Sequence, residues 1–127
     1  MSPISNLSKF DYDFENDTIF FYGTDKKYKT SIDIDNIILD VGEDNSAIAI
    51  EILDASKKFN VPKSDLSSDL SNILHFNAEI SVSKETIKVI MKLVIKKRNG
   101  LINKFTEACG LNNNDLPVST QEMALSY

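Results

Sequence analysis

Hydrophobic and polar residues alternate with a period of two through most of the chain, and the alternating segments come in pairs. Because successive side chains of a strand point to opposite faces of a sheet, this pattern predicts β-strands that each present one apolar face. The first pair is KFDYDF and TIFFYG, which flank the acidic turn END. A further strand is predicted over residues 28–34, whose sequence YKTSIDI places four residues on one face: Tyr28, Thr30, Ile32 and Ile34.

Residues 37–53 predict a hairpin with a defined register. The segments IILDV and AIAIEIL flank GEDNS, a run of turn-forming residues. If residues 43–46 form the loop, the apolar faces of the two strands coincide, whereas a slip of one residue would turn one face toward solvent. The predicted facing pairs are Val41 with Ile48, Leu39 with Ile50 and Ile37 with Ile52.

The second half of the chain repeats this arrangement. FNAEISVS (residues 76–83) and TIKVIMKLVIKKR (residues 86–98) each carry one apolar face, and a turn at Lys84–Glu85 brings the faces together. Asn99–Gly100, two residues that tolerate positive φ, predicts a second tight turn, from which LINKFTEA returns as a third strand. The predicted facing pairs of the first hairpin are Val82 with Ile87, Ile80 with Val89 and Ala78 with Met91.

Two segments admit a second structure. Residues 84–98 also fit an amphipathic helix capped by Ser83, although their β-branched residues and the register match favour a strand. Residues 111–127 fit a loop followed by a short helical turn, with Ser119 and Glu122 as a capping box. They fit a strand along the body of the protein equally well.

A short helical segment is predicted between the two halves. Asp54 is placed to cap the helix ASKKF, and Ser64 is placed to cap a second piece within SDLSSDLSN. The residues expected to face the core are Phe59, Val61, Leu66 and Leu70. Together the elements predict an α+β fold of antiparallel β-meanders with one short helical segment between two β-rich halves. We expect one compact domain over residues 1–127.

Composition narrows the possible functions. A single cysteine, Cys109, excludes an intrachain disulfide, and a single histidine, His75, removes most zinc sites and catalytic triads. The chain shows no secretory signal and no apolar run of the roughly 18 residues that a membrane span needs. We therefore expect a soluble, cytoplasmic protein that binds no membrane and carries no cofactor.

Charge argues against nucleic acid as a partner. Residues 1–60 hold 12 acidic and 6 basic residues, and the whole chain has a net charge of −5. A row of lysines with Arg98 runs through residues 88–98, but no aromatic residues for base stacking lie between them. We expect the acidic first half to serve solubility, or to attract a basic partner.

An ordered set of features in residues 10–59 carries a resemblance to a known family. The features are YD at Tyr12–Asp13, the strand TIFFYG, the approach IDIDNIILDV, the turn GEDN and the segment AIAIEILDASKKF. They resemble the family catalogued as domain of unknown function 2283, with residues 60–127 as a longer extension of the kind seen in some archaeal members. Asn45–Ser46 departs from the family, which commonly has glycine in this turn.

The resemblance implies architecture more than chemistry. It implies a small antiparallel sheet followed by a helix, in a cytoplasmic protein that self-associates. It supplies no activity, catalytic residue or cofactor. Some short members lie beside toxin genes, which implies an antitoxin-like role as one alternative.

The acidic segment DYDFENDT (residues 11–18) is the first candidate site. A helix–loop–helix calcium loop that starts at Asp11 would need glycine at position 6 and glutamate at position 12, where this chain has Asn16 and Tyr22. The segment therefore predicts a solvated hairpin turn. As metal ligands we retain Asp11, Asp13 and Asp17 as weak candidates only, and a cation-binding or small-ligand-binding regulator as an alternative function.

No catalytic constellation is visible in the sequence. His75 and Glu79 share a strand face, but four residues along a strand separate them by about 13 Å, too far for a hydrogen bond. Cys109 has no basic residue within four positions and is expected to act as a small hydrophobic residue. We therefore expect a protein that is not an enzyme.

An apolar group between lysines is the second candidate site. Ile90 and Val94 fall on the same strand face as Lys88, Lys92 and Lys96, and Phe105 joins them if the Asn-Gly hairpin forms. Apolar residues on a solvent-facing sheet indicate a partner surface. We therefore predict an interface at Ile90, Val94 and Phe105, most simply with a second copy of the chain in a homodimer, or otherwise with another protein.

Overall fold

Two five-stranded β-sheets make up most of the computed structural model, which describes residues 4–67 and 72–126. The elements in chain order are β1 (Ile4–Asn6), β2 (Lys9–Asp13), β3 (Thr18–Tyr22), β4 (Tyr28–Ile34), β5 (Ile37–Gly42), β6 (Ala47–Ile52), α1 (Ala55–Phe59), a 3-10 turn (Lys63–Asp65), β7 (Ile73–Val82), β8 (Thr86–Lys97), β9 (Gly100–Leu111) and β10 (Ser119–Ser126). The first sheet has the order β2-β3-β6-β5-β4, and the second has the order β1-β10-β7-β8-β9.

The predicted strand pairs form with nearly the predicted registers. In the second sheet Val82 lies opposite Ile87, and all three facing pairs of this hairpin are confirmed. In the first sheet Ile37 and Leu39 lie opposite their predicted partners, Ile52 and Ile50. The third pair was wrong, because a bulge after Asp40 places Val41 opposite Ala47 instead of Ile48.

Residues 86–97 form a strand, as preferred over a helix. The side chains of Ile87, Val89, Met91, Leu93 and Ile95 are all fully buried, because they point to the core at every second position. The hairpin after this strand is also confirmed, but its loop is Arg98–Asn99, one residue earlier than predicted. Lys97 lies opposite Gly100, whose φ of +134° suits glycine.

The core lies between the two sheets and includes residues of both. Phe21 on β3 and Phe76 on β7 stack with their ring centroids 3.8 Å apart and their planes 4° apart. At one corner of the molecule β4 and β9 approach closely, since a Cβ atom at Gly110 would lie 3.0 Å from Cγ2 of Ile34. The two sheets are therefore packed face to face over a common apolar interior.

The predicted helix ASKKF forms as α1, but it is capped differently. Asp54 has a left-handed φ of 51° and makes no side-chain cap. Asp17, on the hairpin loop before β3, instead accepts hydrogen bonds from the backbone N–H and the hydroxyl of Ser56, at 3.0 and 2.6 Å. The prediction that Ser64 begins a helix was wrong, because Ser64 lies within the 3-10 turn, and Leu70 lies outside the described residues.

The fold is richer in β-structure than the predicted α+β class. In the described part of the chain the only α-helix is α1, which has 5 residues. The tail forms a strand, which was one of its two predicted structures, and β10 lies between β7 and β1 inside the second sheet. β1, which pairs with β10 in parallel, was not predicted because 3 residues are too few to show a periodic pattern.

The carboxylate of Asp17 makes folding sensitive to acid. Burial alone would raise the pKa of Asp17, but hydrogen bonds from Ser56 and Tyr12 outweigh it and hold the pKa below its usual value. Because the pKa is lower in the folded state than the unfolded value of about 3.9, the stabilisation by Asp17 is complete above that value. It is lost as the pH falls through the folded-state pKa.

We expect the Asp17→Asn variant to lose less stability than the wild type between about pH 5 and about pH 2. Urea unfolding followed by circular dichroism at several pH values measures this difference. The variant retains some acid sensitivity from other groups, because the pKa of Asp44 is lowered to about 2 by hydrogen bonds from Ser46. Equal losses of unfolding free energy in the two proteins would contradict the assignment to Asp17.

Candidate functional site

The outer face of the second sheet carries the predicted interface. β8 and β9 pair without a register shift, and alternation places the even-numbered residues of β8 and the odd-numbered residues of β9 on this face. Ile90 is 39% exposed and Phe105 is 62% exposed. The two side chains belong to neighbouring strands, since Ile90 lies opposite Glu107 and Lys92 lies opposite Phe105.

Two further exposed leucines extend this surface. Leu101 and Leu111 lie near the two ends of β9, on the same face as Phe105. Sequence reasoning missed both leucines, although each lies an even number of residues from Phe105, the spacing that places side chains on the same face of a strand. We call the four residues Ile90, Leu101, Phe105 and Leu111 the apolar strip.

The charged neighbours of the apolar strip are of both signs. The Nζ atom of Lys88 lies 3.7 Å from Oε2 of Glu107, and both side chains are at least half exposed. The ammonium of Lys92 lies 5.8 Å from the centre of the Phe105 ring, within the range of a cation–π interaction. The strip is therefore an apolar surface within a mixed, nearly balanced set of charges.

Val94 lies on the same face but is covered by its neighbours, and only 7% of its surface is exposed. It forms part of the floor of a shallow depression of about 350 Å³ between β8, β7 and β10. On the rim, Nδ1 of His75 lies 2.9 Å from the hydroxyl of Ser126, and Asn77 donates a hydrogen bond of 2.9 Å to Glu122. Val94 thus offers little surface of its own to a partner.

The free edge of β9 adjoins the apolar strip. Within the described residues β8 is the only strand that pairs with β9, so β9 is the last strand of the second sheet. β9 has 12 residues, and only two of them, Lys104 and Glu107, are charged. A long edge strand with few charges is open to pairing with another chain.

The acidic candidates do not converge on one site. Asp11 and Asp13 lie on the outer face of the first sheet, where they line a depression of about 440 Å³ together with Glu51. Asp17 is buried, and it accepts a hydrogen bond of 2.6 Å from the hydroxyl of Tyr12 in addition to those from Ser56. The structure therefore separates Asp17 from the other two candidates.

The other acids of this face lie farther away. Asp40 on β5 is three strands from Asp11, a separation of about 14 Å at the usual strand spacing, and it accepts a hydrogen bond from Ser31. Asp33 lies one strand farther, on β4. Among the described residues, no group of three or more histidine, cysteine, aspartate and glutamate side chains is arranged to hold a metal ion.

Cys109 lies on the surface, which differs from the prediction of a small hydrophobic residue. It occupies the outer face of β9 opposite Lys88, because alternation along β9 turns it away from the core. Among the described helices, none has the length and apolar character that crossing a membrane requires. Localisation in the cytoplasm stays a prediction.

Comparisons with known proteins agree with the resemblance of the first sheet. The family model described as "Protein of unknown function (DUF2283)" matches residues 9–56, a range that spans β2 to the start of α1. A protein of Methanosarcina mazei named "Putative hypoxanthine phosphoribosyltransferase" is 55% identical over 126 residues, which cover 99% of each chain. No solved structure matches the chain.

A second relative is an uncharacterized protein of Methanocaldococcus jannaschii. It is 40% identical over 104 residues, which cover 82% of this chain and 87% of the relative. Both alignments are longer than the segment that the family model matches, so the relatives also share sequence in the second half of the chain. The chain belongs to the DUF2283 family of proteins of unknown function, and the segment typical of the family forms its first sheet.

Proposed function

We propose that this protein is a non-catalytic interaction module that self-associates into a homodimer through the apolar strip. The observation that carries the proposal is the exposure of Phe105 and Ile90 on neighbouring strands, with Leu101 and Leu111 in line with Phe105 on β9. Aromatic side chains, phenylalanine among them, are enriched in interfaces relative to the rest of the protein surface. The resemblance to the family implies self-association, and the strip provides a surface on which this chain would associate with a second copy.

The charges around the strip suit a second copy of the same chain. A symmetric dimer brings the same residues of both copies together, so a strip surrounded by one sign of charge would repel its copy. Here Lys88 and Lys92 are balanced by Glu107 on β9 and by Glu79, which lies opposite Ile90 on β7. Such a surface, with charges of both signs, does not repel its own copy.

We expect Phe105→Asp to weaken the dimer by at least about 30-fold, the loss typical of removing an aromatic residue from the centre of an interface. The variant places two aspartates in each dimer, one from each copy, and both would lose favourable hydration at the interface. Light scattering and native mass measurement over a micromolar concentration series give the dissociation constants. Circular dichroism checks that the fold is unchanged.

Val118→Asp is the matched control for this substitution. Val118 is exposed and lies in the loop before β10, away from the apolar strip, so the variant should dimerise as the wild type does. A wild-type protein that stays monomeric throughout the series would refute self-association. Equal weakening by both substitutions would refute the role of the strip.

Two alternative functions predict other experimental results. An antitoxin-like protein would stay monomeric alone and bind a different protein through the strip. A cation-dependent regulator would act through Asp11, Asp13 and Glu51, and titration calorimetry with calcium, magnesium and manganese would then show heat that the Asp13→Asn variant lacks. Among the residues that the structure describes, no three ligands converge, so we rank this alternative second.

The name of the Methanosarcina mazei relative gives phosphoribosyl transfer as another candidate. Phosphate groups are commonly bound by a glycine-rich loop that leads into a helix N-terminus. In the described chain α1 has 5 residues, and the N–H of Ser56 in its first turn already donates to Asp17. We therefore base the proposed function on the apolar strip and not on this name.

A further inference from the structure

The hydrogen-bonding pattern shows which backbone groups of β9 remain available. The N–H of Ser83 donates to the carbonyl of Thr86 across the β7–β8 turn, and the N–H of Asn112 donates to the carbonyl of Glu85 just beyond the end of β9. Because bonded residues alternate along an antiparallel pair, the even-numbered residues of β9 bond to β8. The N–H and C=O groups of the odd-numbered residues therefore point to the free edge.

The free edge of β9 lacks the protection that other edges of the molecule have. β1 has only 3 residues, β2 has 5 residues with acidic side chains, and β4 contains a register shift near Tyr28. A short length, charged side chains and a register shift are the usual means by which edge strands avoid pairing with other chains. β9 is longer than all three, and it has no proline and no register shift against β8. Within the described residues it is the edge best suited to accept another strand.

We propose that β9 pairs antiparallel with β9 of a second copy, so that two second sheets join into one continuous ten-stranded sheet. The inference rests on the proposed self-association and specifies its geometry. A strand can pair antiparallel with its own copy only about a two-fold axis perpendicular to the sheet, and such an axis keeps the outer faces of both copies on the same side. The apolar strips of the two copies then lie side by side across the axis.

An axis at Phe105 gives the most favourable side-chain pairs. Phe105 then lies opposite Phe105 of the second copy, an aromatic pair of the kind that stabilises neighbouring strands. Asn103 lies opposite Glu107 of the second copy, and Leu101 lies opposite Cys109 of the second copy. This register places no two like charges directly opposite each other, and the free odd-numbered N–H and C=O groups meet as bonded pairs.

Distances between identical residues of the two copies test this geometry, and Cys109 provides a natural label site as the only cysteine of the chain. A nitroxide on Cys109 lies four residues from the axis, so the two labels should be about 26 Å apart at 3.3 Å per residue. In an Asn103→Cys, Cys109→Ala protein the labels lie two residues from the axis and should be about 13 Å apart. Pulsed and continuous-wave EPR measure these distances in the dimer.

If the two-fold axis moves along β9, the distance between the labels at residue 109 and the distance between the labels at residue 103 change in opposite directions. Their sum therefore stays near 40 Å for any register that pairs the two β9 edges, as long as the axis lies between residues 103 and 109. A dimer whose two distances add up to a clearly different value would overturn the pairing of β9 and leave self-association standing. A protein that light scattering shows to be monomeric at the EPR concentration would overturn both proposals. Labelling in denaturant-free buffer, with circular dichroism before and after, ensures that the folded chain is measured.

Discussion

Phe76→Ala should lower the free energy of unfolding by about 3–5 kcal/mol, among the largest effects of any single substitution in this chain. Phe76 is 1% exposed, and its ring stacks on the ring of Phe21 from the opposite sheet. Removing the ring opens a cavity between the sheets, which their backbones cannot close without breaking strand pairs. Urea denaturation monitored by circular dichroism measures the loss.

A double-mutant cycle with Phe21→Ala isolates the contact between the two rings. We expect a coupling energy of about 1 kcal/mol. Either single substitution already removes the stacking contact, so the double variant loses it only once. Phe14→Ala is the control, since Phe14 lies exposed at the end of the first hairpin and should cost less than about 1 kcal/mol. Similar losses for Phe14→Ala and Phe76→Ala would contradict the placement of Phe76 between the sheets.

Asp17→Ala should destabilise the protein by about 2–4 kcal/mol. Asp17 is 6% exposed, and its carboxylate accepts hydrogen bonds from Tyr12 and from both the backbone and the hydroxyl of Ser56. The substitution leaves these donors without their acceptor in a partly buried place, and it removes the cap of α1. The same urea experiment gives the change in unfolding free energy.

Asp13→Ala is the matched control for Asp17→Ala, because both aspartates belong to the first hairpin and differ in burial. Asp13 is exposed, and its hydrogen bonds come from Asn16 and from the backbone of Glu15 in the same loop, so its loss should be much smaller. A loss for Asp17→Ala no larger than that for Asp13→Ala would show that the hydrogen bonds to Tyr12 and Ser56 contribute little.

The sequence predicts the strand pairs best where one face is strictly apolar. Val82, Ile80 and Ala78 alternate with polar residues, and so do their partners on β8, so only one register buries both faces. The same alternation of apolar and polar residues favours a strand over a helix for residues 84–98. Where a local irregularity intervenes, as with the bulge after Asp40, alternation alone gives the wrong partner.

Contacts between residues distant in the chain could not be predicted in this way. Nothing in the periodicity of residues 11–18 distinguishes Asp17 from Asp13, since the burial of Asp17 depends on Tyr12 and on a helix that begins about 40 residues later. The sequence alone therefore predicts Asp54, the nearest residue of suitable type, as the cap of α1. The position of β10 inside the second sheet depends in the same way on pairing with β1 and β7.

The candidate interface was predictable in outline only. Alternation placed Ile90, Val94 and Phe105 on one face, and the structure places all three there. Exposure depends on the neighbours of each residue, and the pattern of one strand does not reveal that the surroundings cover Val94 and leave Phe105 open. Which strand lies at the edge follows from the order of the whole sheet, which alternation does not specify.

The pairing of β1 with β10 has a consequence for synthesis on the ribosome. Ile4 lies opposite Glu122, so β1 is synthesised long before β10, the strand with which it pairs. The first sheet uses only residues 9–52 and can assemble while translation continues, whereas the second sheet cannot close until β10 emerges. Until then the long strands β7, β8 and β9 form an incomplete sheet, whose unpaired edges can pair with strands of other nascent chains.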